Sequence, residues 1–198
     1  MIGVSARTRT IIFSLFVALA GCSGKTAPNV TPQRSTLSGS VAGTSAFAVD
    51  SVSITAQGPN GAGLGILISN KPQICSWEFA PGQLKADSVI VDVVMVERAQ
   101  GALPIGAGTY AISPFSEVMS AGRGTAGEFA TSDGTCRQTS VTAIGGTLTL
   151  SDVSPTYVAG SFDLMFPNGD QVSATFTAPH CDFPASSNYD GGTKTCVP

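Results

Sequence analysis

The chain has 198 residues, of which only 12% are charged, and its formal net charge is −3. A length of this order suits one good-sized domain. The 10 Lys and Arg residues form no basic run and are outnumbered by 13 Asp and Glu, which argues against a nucleic-acid partner. Gly, Ser, Thr, Ala and Val dominate instead, a composition that favours strands over long charged helices.

The first residues have the composition of an export signal. Arg7 and Arg9 supply positive charge, and the mostly apolar segment 11–20 follows at once. A basic start, a short apolar core and a small-residue exit are typical of secretory signals. A membrane-spanning helix needs roughly 20 apolar residues, so this core is too short to remain as an anchor. Residues 1–21 are therefore predicted to be removed, which moves the net charge from −3 to −5 because two arginines and no acid are lost.

The signal ends in Leu19-Ala20-Gly21-Cys22, which resembles the lipobox of bacterial lipoproteins. The resemblance implies that Cys22 becomes the mature N-terminus and carries a diacylglycerol thioether. Since each buried methylene adds about 0.8 kcal/mol of membrane affinity, several acyl chains hold a protein where one would not. The resemblance also implies the bacterial cell envelope, and Ser23 in place of an acidic residue favours the outer membrane. The alternative is an ordinary secretory signal with a chance cysteine.

Residues 22–35 are predicted to form a lipidated N-terminus and a flexible tether. They are polar, contain proline and show no apolar periodicity, so nothing in them can bury a core. A single β-rich domain is predicted for residues 36–198.

Besides Cys22, the mature chain contains four of the 5 cysteines: Cys75, Cys136, Cys181 and Cys196. An even number in an exported chain predicts two disulfides. Of the possible pairings, we favour Cys181 with Cys196, which would fasten the C-terminal tail, and Cys75 with Cys136. No C-x-x-C unit occurs, so zinc is disfavoured and no metal site is predicted.

Alternation of apolar and polar residues predicts short strands along the domain. Strands at 37–43, 49–57 and 64–69 begin it, and a glycine-rich turn makes the last two a hairpin. The most apolar strand, Val89–Val96, shows no clean alternation and should lie centrally, covered on both faces. Trp77 is expected to fill the core beside a disulfide.

The middle of the domain is less regular. A short strand is predicted at 109–113, and residues 116–127 allow at most one short helical turn because small residues and glycines dominate them. Within them, residues 122–127 match G-x-G-x-x-G. The dinucleotide-binding fingerprint requires a preceding strand and a following helix, so we interpret this match as a flexible turn and predict no cofactor site.

Gly145-Gly146 predicts a two-residue hairpin turn between strands at 138–144 and 147–151. The resulting register sets Ala143 opposite Leu148. Apolar side chains then meet on one face and threonines on the other, which supports the pairing.

A second hairpin is predicted between residues 157–166 and 170–178. Pro167-Asn168-Gly169 suits a three-residue loop with glycine in the left-handed position. This register sets Leu164 opposite Val172. A two-residue turn would shift the register by one and pair apolar with polar side chains.

About 8–10 short strands with frequent turns indicate an all-β fold. We predict an antiparallel β-sandwich, with a β-barrel as the alternative. In general layout the domain is similar to small β-rich envelope lipoproteins of bacteria, a resemblance that implies no functional residues. It depends on packing and turn signatures: Gly108-Thr109-Tyr110, Gly160-Ser161-Phe162 and Ala174-Thr175-Phe176.

No motif supports a catalytic site. The one histidine, His180, adjoins Cys181, and no G-x-S-x-G occurs, which favours a structural role over a serine hydrolase. Asp152 and Asp163 are candidates for paired acid–base carboxylates. Solvated strand positions are the default interpretation of both.

The sequence therefore predicts a non-enzymatic binding or structural module that is lipid-anchored in the bacterial cell envelope. Its expected partners are the membrane, through the lipid, and an envelope protein or glycan. One alternative is a hydrolase that acts on envelope polysaccharide or peptide through paired carboxylates. Another is an inhibitor of an envelope enzyme, which would present an exposed rigid loop at residues 70–83.

Cys22 is expected to be the lipidated first residue of the mature protein. Mass spectrometry of the protein from membranes should give a chain that begins at Cys22 and carries acyl groups. Cys22→Ala should move the protein out of the membrane fraction because the anchor is lost, whereas the neighbouring Ser23→Ala should not. An unmodified N-terminus, or cleavage elsewhere, would contradict the assignment.

Overall fold

A computed structural model describes residues 35–58, 60–78, 83–99, 104–181 and 195–198. The predicted signal segment, Cys22 and the tether up to residue 34 lie outside these ranges. Within the ranges, neither helix combines the length and the apolar character needed to cross a bilayer.

The described residues form thirteen strands and two short helices. Three strands, β2, β5 and β13, have only two or three residues, so the number of longer strands agrees with the sequence. The helices are α1 (Ile74–Glu78) and α2 (Phe115–Ala121). The strands are β1 (Thr36–Val41), β2 (Thr44–Ser45), β3 (Asp50–Gly58), β4 (Gly61–Ser69), β5 (Gln83–Lys85), β6 (Val89–Glu97), β7 (Gly108–Ala111), β8 (Arg123–Ser132), β9 (Gln138–Thr142), β10 (Gly145–Val153), β11 (Tyr157–Met165), β12 (Gln171–Pro179) and β13 (Thr195–Val197).

Two large antiparallel sheets make up the fold. The six-stranded sheet has the order β2-β1-β12-β11-β10-β7, and the five-stranded sheet has the order β3-β4-β6-β8-β9. The small remaining pair, β13 with β5, is parallel. Neither large sheet closes into a barrel, so the predicted all-β sandwich is confirmed and the barrel alternative is not adopted.

The core lies between the two sheets, because the long strands of both sheets turn apolar side chains toward each other. An edge-to-face contact between Phe129 and Phe166, with ring centroids 6.3 Å apart, joins the sheets. Gly127 on β8 lets Leu164 approach closely, since a Cβ there would lie 2.7 Å from a Leu164 methyl carbon. The innermost side chains include Ile66, Ile68, Val91, Val93, Leu148, Phe162, Leu164 and Val172.

Strand β6 occupies the middle of the five-stranded sheet, as its apolar sequence predicts. Val91 and Val93 face the central core. On the other side, Ile90 packs with side chains of α1 and Val94 with side chains of α2. The strand is therefore covered on both faces, as expected of a sequence without alternation.

Helix α1 lies where the sequence predicts an exposed loop. Trp77 is only 2% exposed, and its indole N–H donates to the carbonyl of Pro72 at 2.9 Å. Ile74 is fully buried beside it. The prediction that Trp77 fills the core is confirmed, and the rigid-loop prediction for residues 70–83 is wrong across this helix.

The favoured disulfide pairing is wrong, although all four cysteines are bonded. Cys75 pairs with Cys181, and Cys136 pairs with Cys196. The end of β12 crosses to the five-stranded sheet, where the Cys181 N–H donates to the carbonyl of Ser53, and this brings Cys181 to α1. Strand β13 instead runs along β5, beside the turn that follows β8. Nearness in the sequence did not decide the pairing, because Cys181 lies beside α1 whereas Cys196 lies on β13 beside β5.

The predicted Gly145-Gly146 hairpin is also wrong. Strand β9 pairs with β8, whereas β10 pairs with β11 and β7, so the chain changes sheets between β9 and β10. Gly145 and Gly146 are the first residues of β10. Ala143 and Leu148 both lie in the central core, but they reach it from opposite sheets. The alternation in residues 138–151 therefore predicts correctly that Ala143 and Leu148 are buried, but it does not identify the strands with which β9 and β10 pair.

The second predicted hairpin is confirmed in register. Leu164 pairs with Val172 between β11 and β12. The Phe166 N–H donates to the carbonyl of Asp170 at 2.9 Å, which closes the three-residue loop. Gly169 has φ 85°, the left-handed conformation that the loop requires.

Residues 122–127 are not a flexible turn, contrary to the sequence interpretation. Gly122 ends the seven-residue α2 in a left-handed conformation, with φ 67°. The rest of the segment belongs to β8, between β6 and β9. The glycines of this segment are typical of a turn, so the sequence does not indicate a strand. In β8 these small residues are required for close packing.

Because Gly145 and Gly146 begin β10 rather than form a hairpin turn, alanine substitutions at these two residues should have unequal effects. In Gly146→Ala the new Cβ would lie 2.0 Å from the carbonyl oxygen of Asp163, at φ 131°. We expect it to lower the free energy of unfolding by about 2 kcal/mol or more.

The matched control is Gly145→Ala, whose Cβ would meet only the flexible end of Met165, at 3.3 Å. It should change the free energy of unfolding by less than about 0.5 kcal/mol. Urea unfolding measures both. Equal effects, as expected for two residues of one hairpin turn, would contradict the topology.

Candidate functional site

The candidate site is a depression on the outer face of the six-stranded sheet, about 390 Å³ in volume. Its floor is the small side chain of Ala159 on β11. We call it the hydroxyl depression, because six hydroxyl side chains line it: Thr36, Thr149, Ser151, Ser161, Thr175 and Thr177.

Strand register places most of these hydroxyls side by side. Thr175 pairs with Thr36 and with Ser161, and Ser161 pairs with Thr149. Thr149 in turn pairs with Thr109 on β7. Because neighbouring strands lie roughly 4.8 Å apart, these side chains form a row with one hydroxyl per strand. We call this set the hydroxyl row.

A bulge in β10 and a glycine in β11 shape the depression. The pairing of β10 with β11 shifts between Leu150 and Asp152, which leaves Ser151 as the extra residue at the rim. Gly160 allows the two strands to approach, since a Cβ there would lie 2.1 Å from the carbonyl oxygen of Thr149. The side chain of Ala159 is shorter than those around it and forms the bottom of the depression.

The lining is uncharged and combines the hydroxyls with the apolar surface of Ala159, Gly160 and Phe176. The hydroxyl oxygens of Thr36 and Thr175 are 2.7 Å apart and share a hydrogen bond, and those of Thr109 and Thr149 are 3.4 Å apart. Each hydroxyl can donate one hydrogen bond and accept others, so the row retains capacity toward solvent. Such a surface suits a ligand that is itself rich in neutral donors and acceptors.

Tyr157 and Asp152 stand at one end of the depression. Asp152 pairs with Ala159, and Tyr157 lies two residues before Ala159 on the same face of β11. The Tyr157 hydroxyl donates to the Asp152 carboxylate. This hydrogen bond and the negative charge of Asp152 raise the pKa of Tyr157 above its ordinary value.

His180 connects the two sheets rather than facing the depression. Its Nδ1 lies 2.9 Å from the Ser53 hydroxyl, and its Nε2 lies 2.9 Å from the carbonyl oxygen of Ser154. Ser53 is fully buried. A second pocket of about 340 Å³ adjoins this histidine, but both ring nitrogens already have protein partners.

The carboxylates named from the sequence are not brought together. Asp163 accepts from the Ser173 hydroxyl, whereas Asp152 bonds to Tyr157. The pairing of β6 with β8 instead sets Asp92 directly opposite Glu128. Both side chains are half-buried, on the outer face of the five-stranded sheet.

Sequence reasoning missed Asp92 and Glu128 as a pair. Directly opposed strand residues have Cβ atoms about 5 Å apart, so the two carboxylates are neighbours. The contact joins strands that are distant in the chain, and β8 was not recognised as a complete strand. A pattern within one strand carries no information about such a pairing.

Within the described ranges, no group of three or more His, Cys, Asp or Glu side chains is placed to hold a metal ion. Comparison with protein-family models, with curated proteins and with solved structures finds no match to the chain. Its function is therefore argued from geometry and chemistry.

Tyr157 is expected to ionise at higher pH than an ordinary tyrosine, because a phenolate would lose its bond to Asp152 and face a negative charge. A folded-state pKa above the unfolded value means that this bond stabilises the protein below about pH 10. The contribution is lost as pH rises through the raised pKa.

An alkaline absorbance titration measures this ionisation. Asp152→Asn should bring the pKa of Tyr157 back toward its ordinary value. Asp163→Asn, whose carboxylate bonds to Ser173 instead, is the control and should leave the titration unchanged. An unchanged titration in Asp152→Asn would contradict the assignment.

Proposed function

We propose that the mature chain is a non-enzymatic binding module, anchored by lipid at Cys22 in the bacterial cell envelope. In this proposal the hydroxyl depression is its binding site. The observation that carries the proposal is the convergence of six hydroxyls on one concave, uncharged surface. Ligand sites are usually concave, and polar groups within them fix the orientation of the ligand.

The position of the depression agrees with a lipid anchor at Cys22. Thr36, the first residue of β1, lines the depression and directly follows the predicted tether. A tether of residues 22–35 spans on the order of 50 Å at most, at about 3.4 Å per extended residue. The lipid on Cys22 would therefore keep the depression close to the membrane and to the envelope material there.

The hydrolase alternative now depends on Asp92 and Glu128. They lie on the other sheet from the depression, between the patches covered by α1 and α2. Like charges directly opposite each other destabilise a sheet, which is a cost that function would have to offset. The inhibitor alternative loses its loop where α1 buries Ile74 and Trp77. Of the three candidate functions, the binding module is therefore the one that the described surface supports best.

Filling the depression should abolish binding to envelope material. Ala159→Leu adds volume at the floor and keeps every hydroxyl. We expect affinity to fall at least about tenfold, since the ligand loses the space it occupies. Cosedimentation of the purified full-length protein with envelope fragments freed of lipid measures this, because the acyl chains on Cys22 would otherwise hold every variant in the membrane.

Ala111→Leu is the matched control, because Ala111 is exposed on the edge strand of the same sheet, outside the depression. It should bind as the unmodified protein does. Binding that survives in Ala159→Leu would contradict the site. Turnover of the bound material that disappears in Glu128→Gln would favour the hydrolase instead.

A further inference from the structure

The charge of the six-stranded sheet restricts the class of ligand. Its six strands contain no Lys, Arg or His, and their only carboxylates are those of Asp152 and Asp163. Both aspartates flank the depression on its own face. Among the residues of these strands, an anionic ligand would meet negative charge and no cation to compensate it. The charge therefore disfavours an anionic ligand, and the hydroxyls of the depression suit a neutral polar one.

The backbone of the depression is not open to a peptide strand. The depression lies mainly over β10, β11 and β12, each of which pairs with a neighbour on both sides, and it reaches β1 only at Thr36. Addition of a peptide strand needs a free sheet edge, and other peptide modes need an apolar groove or a cluster of arginines. The hydroxyl lining provides none of these.

The hydroxyl row has the pattern of a polyhydroxylated chain. Serine and threonine hydroxyls both donate and accept, as sugar hydroxyls do. Five strands contribute one hydroxyl each, from Thr36 through Thr175, Ser161 and Thr149 to Thr109. The repeat of roughly 4.8 Å across the strands is close to the length of one pyranose unit.

Tyr157 adds an apolar surface on the far side of Ala159 from the row, about 14 Å along β11 from Ser161. Its ring is half-buried, on the same face of β11 as Ala159, and its hydroxyl is held by Asp152. A ring fixed in this way offers a flat contact to the C–H face of a sugar and loses little entropy on binding.

We infer that the hydroxyl depression binds a neutral oligosaccharide, one ring of which lies over Ala159, between the hydroxyl row and Tyr157. The inference rests on the proposed function and names its ligand. The sugar hydroxyls exchange hydrogen bonds with the row, and Asp152 accepts from them at one end.

Titration calorimetry of the purified full-length protein in detergent tests the inference. The probes are hexasaccharides of the cello-, chito- and malto- series, with oligogalacturonate of equal length as the anionic probe. At least one neutral series should bind, about tenfold or more tighter than oligogalacturonate.

Three variants assign the binding to the depression. Ala159→Leu should abolish it, and Tyr157→Leu should weaken it. Thr149→Val removes one hydroxyl of the row at constant shape and should weaken binding about three- to tenfold. Thr142→Val, on exposed β9 of the other sheet, is the matched control and should change nothing.

Two results overturn the glycan inference and leave the proposed function standing. One is tighter binding of oligogalacturonate than of any neutral series. The other is binding to envelope fragments that depends on Ala159, disappears after protease treatment and is not reproduced by any saccharide. Saccharide binding that survives in Ala159→Leu overturns the site. Absence of binding to saccharides and envelope fragments alike overturns both proposals.

Discussion

Side chains of β11 point alternately to the core and to solvent, and both the core and the candidate site depend on this alternation. Phe162 and Leu164 are at most 1% exposed, whereas Ser161 lies in the hydroxyl row. The register with β12 sets Phe162 opposite Ala174 and Ser161 opposite Thr175. A slip of one residue would exchange the two faces, burying hydroxyls and exposing aromatic rings. The hydrophobic core therefore keeps the hydroxyls aligned across the strands.

The two sheets are also joined at their margins by polar and covalent links. At one margin, β12 runs on toward β3, where His180 bonds to Ser53 and Cys181 bonds to Cys75 of α1. Elsewhere, Ile112 forms a bridge to Thr125 of β8. These links hold the sheets at a fixed offset. The six-stranded sheet is therefore a rigid platform, and a rigid platform favours binding because little ordering is required.

The outer faces of the two sheets differ in chemistry. Helices α1 and α2 both pack on the outer face of the five-stranded sheet, where apolar side chains such as Ile90 and Val94 need cover. In the described part of the chain, both helices lie on that side. The outer face of the six-stranded sheet carries serines and threonines, which water or a polar ligand can satisfy without cover. This asymmetry places the candidate site on the six-stranded sheet.

The all-β class, the central position of β6 and the register of the β11–β12 hairpin could be predicted from the residues alone. These features depend on alternation and on local turn residues such as Gly169, which act over a few neighbours in the chain. The disulfide pairing, the change of sheets before β10 and the opposition of Asp92 and Glu128 became visible only in the folded molecule. Each of these joins segments far apart in the chain, where packing of whole sheets selects the partner. The hydroxyl depression has both origins, because alternation puts its hydroxyls on one face and strand order across β1, β12, β11 and β10 brings them together.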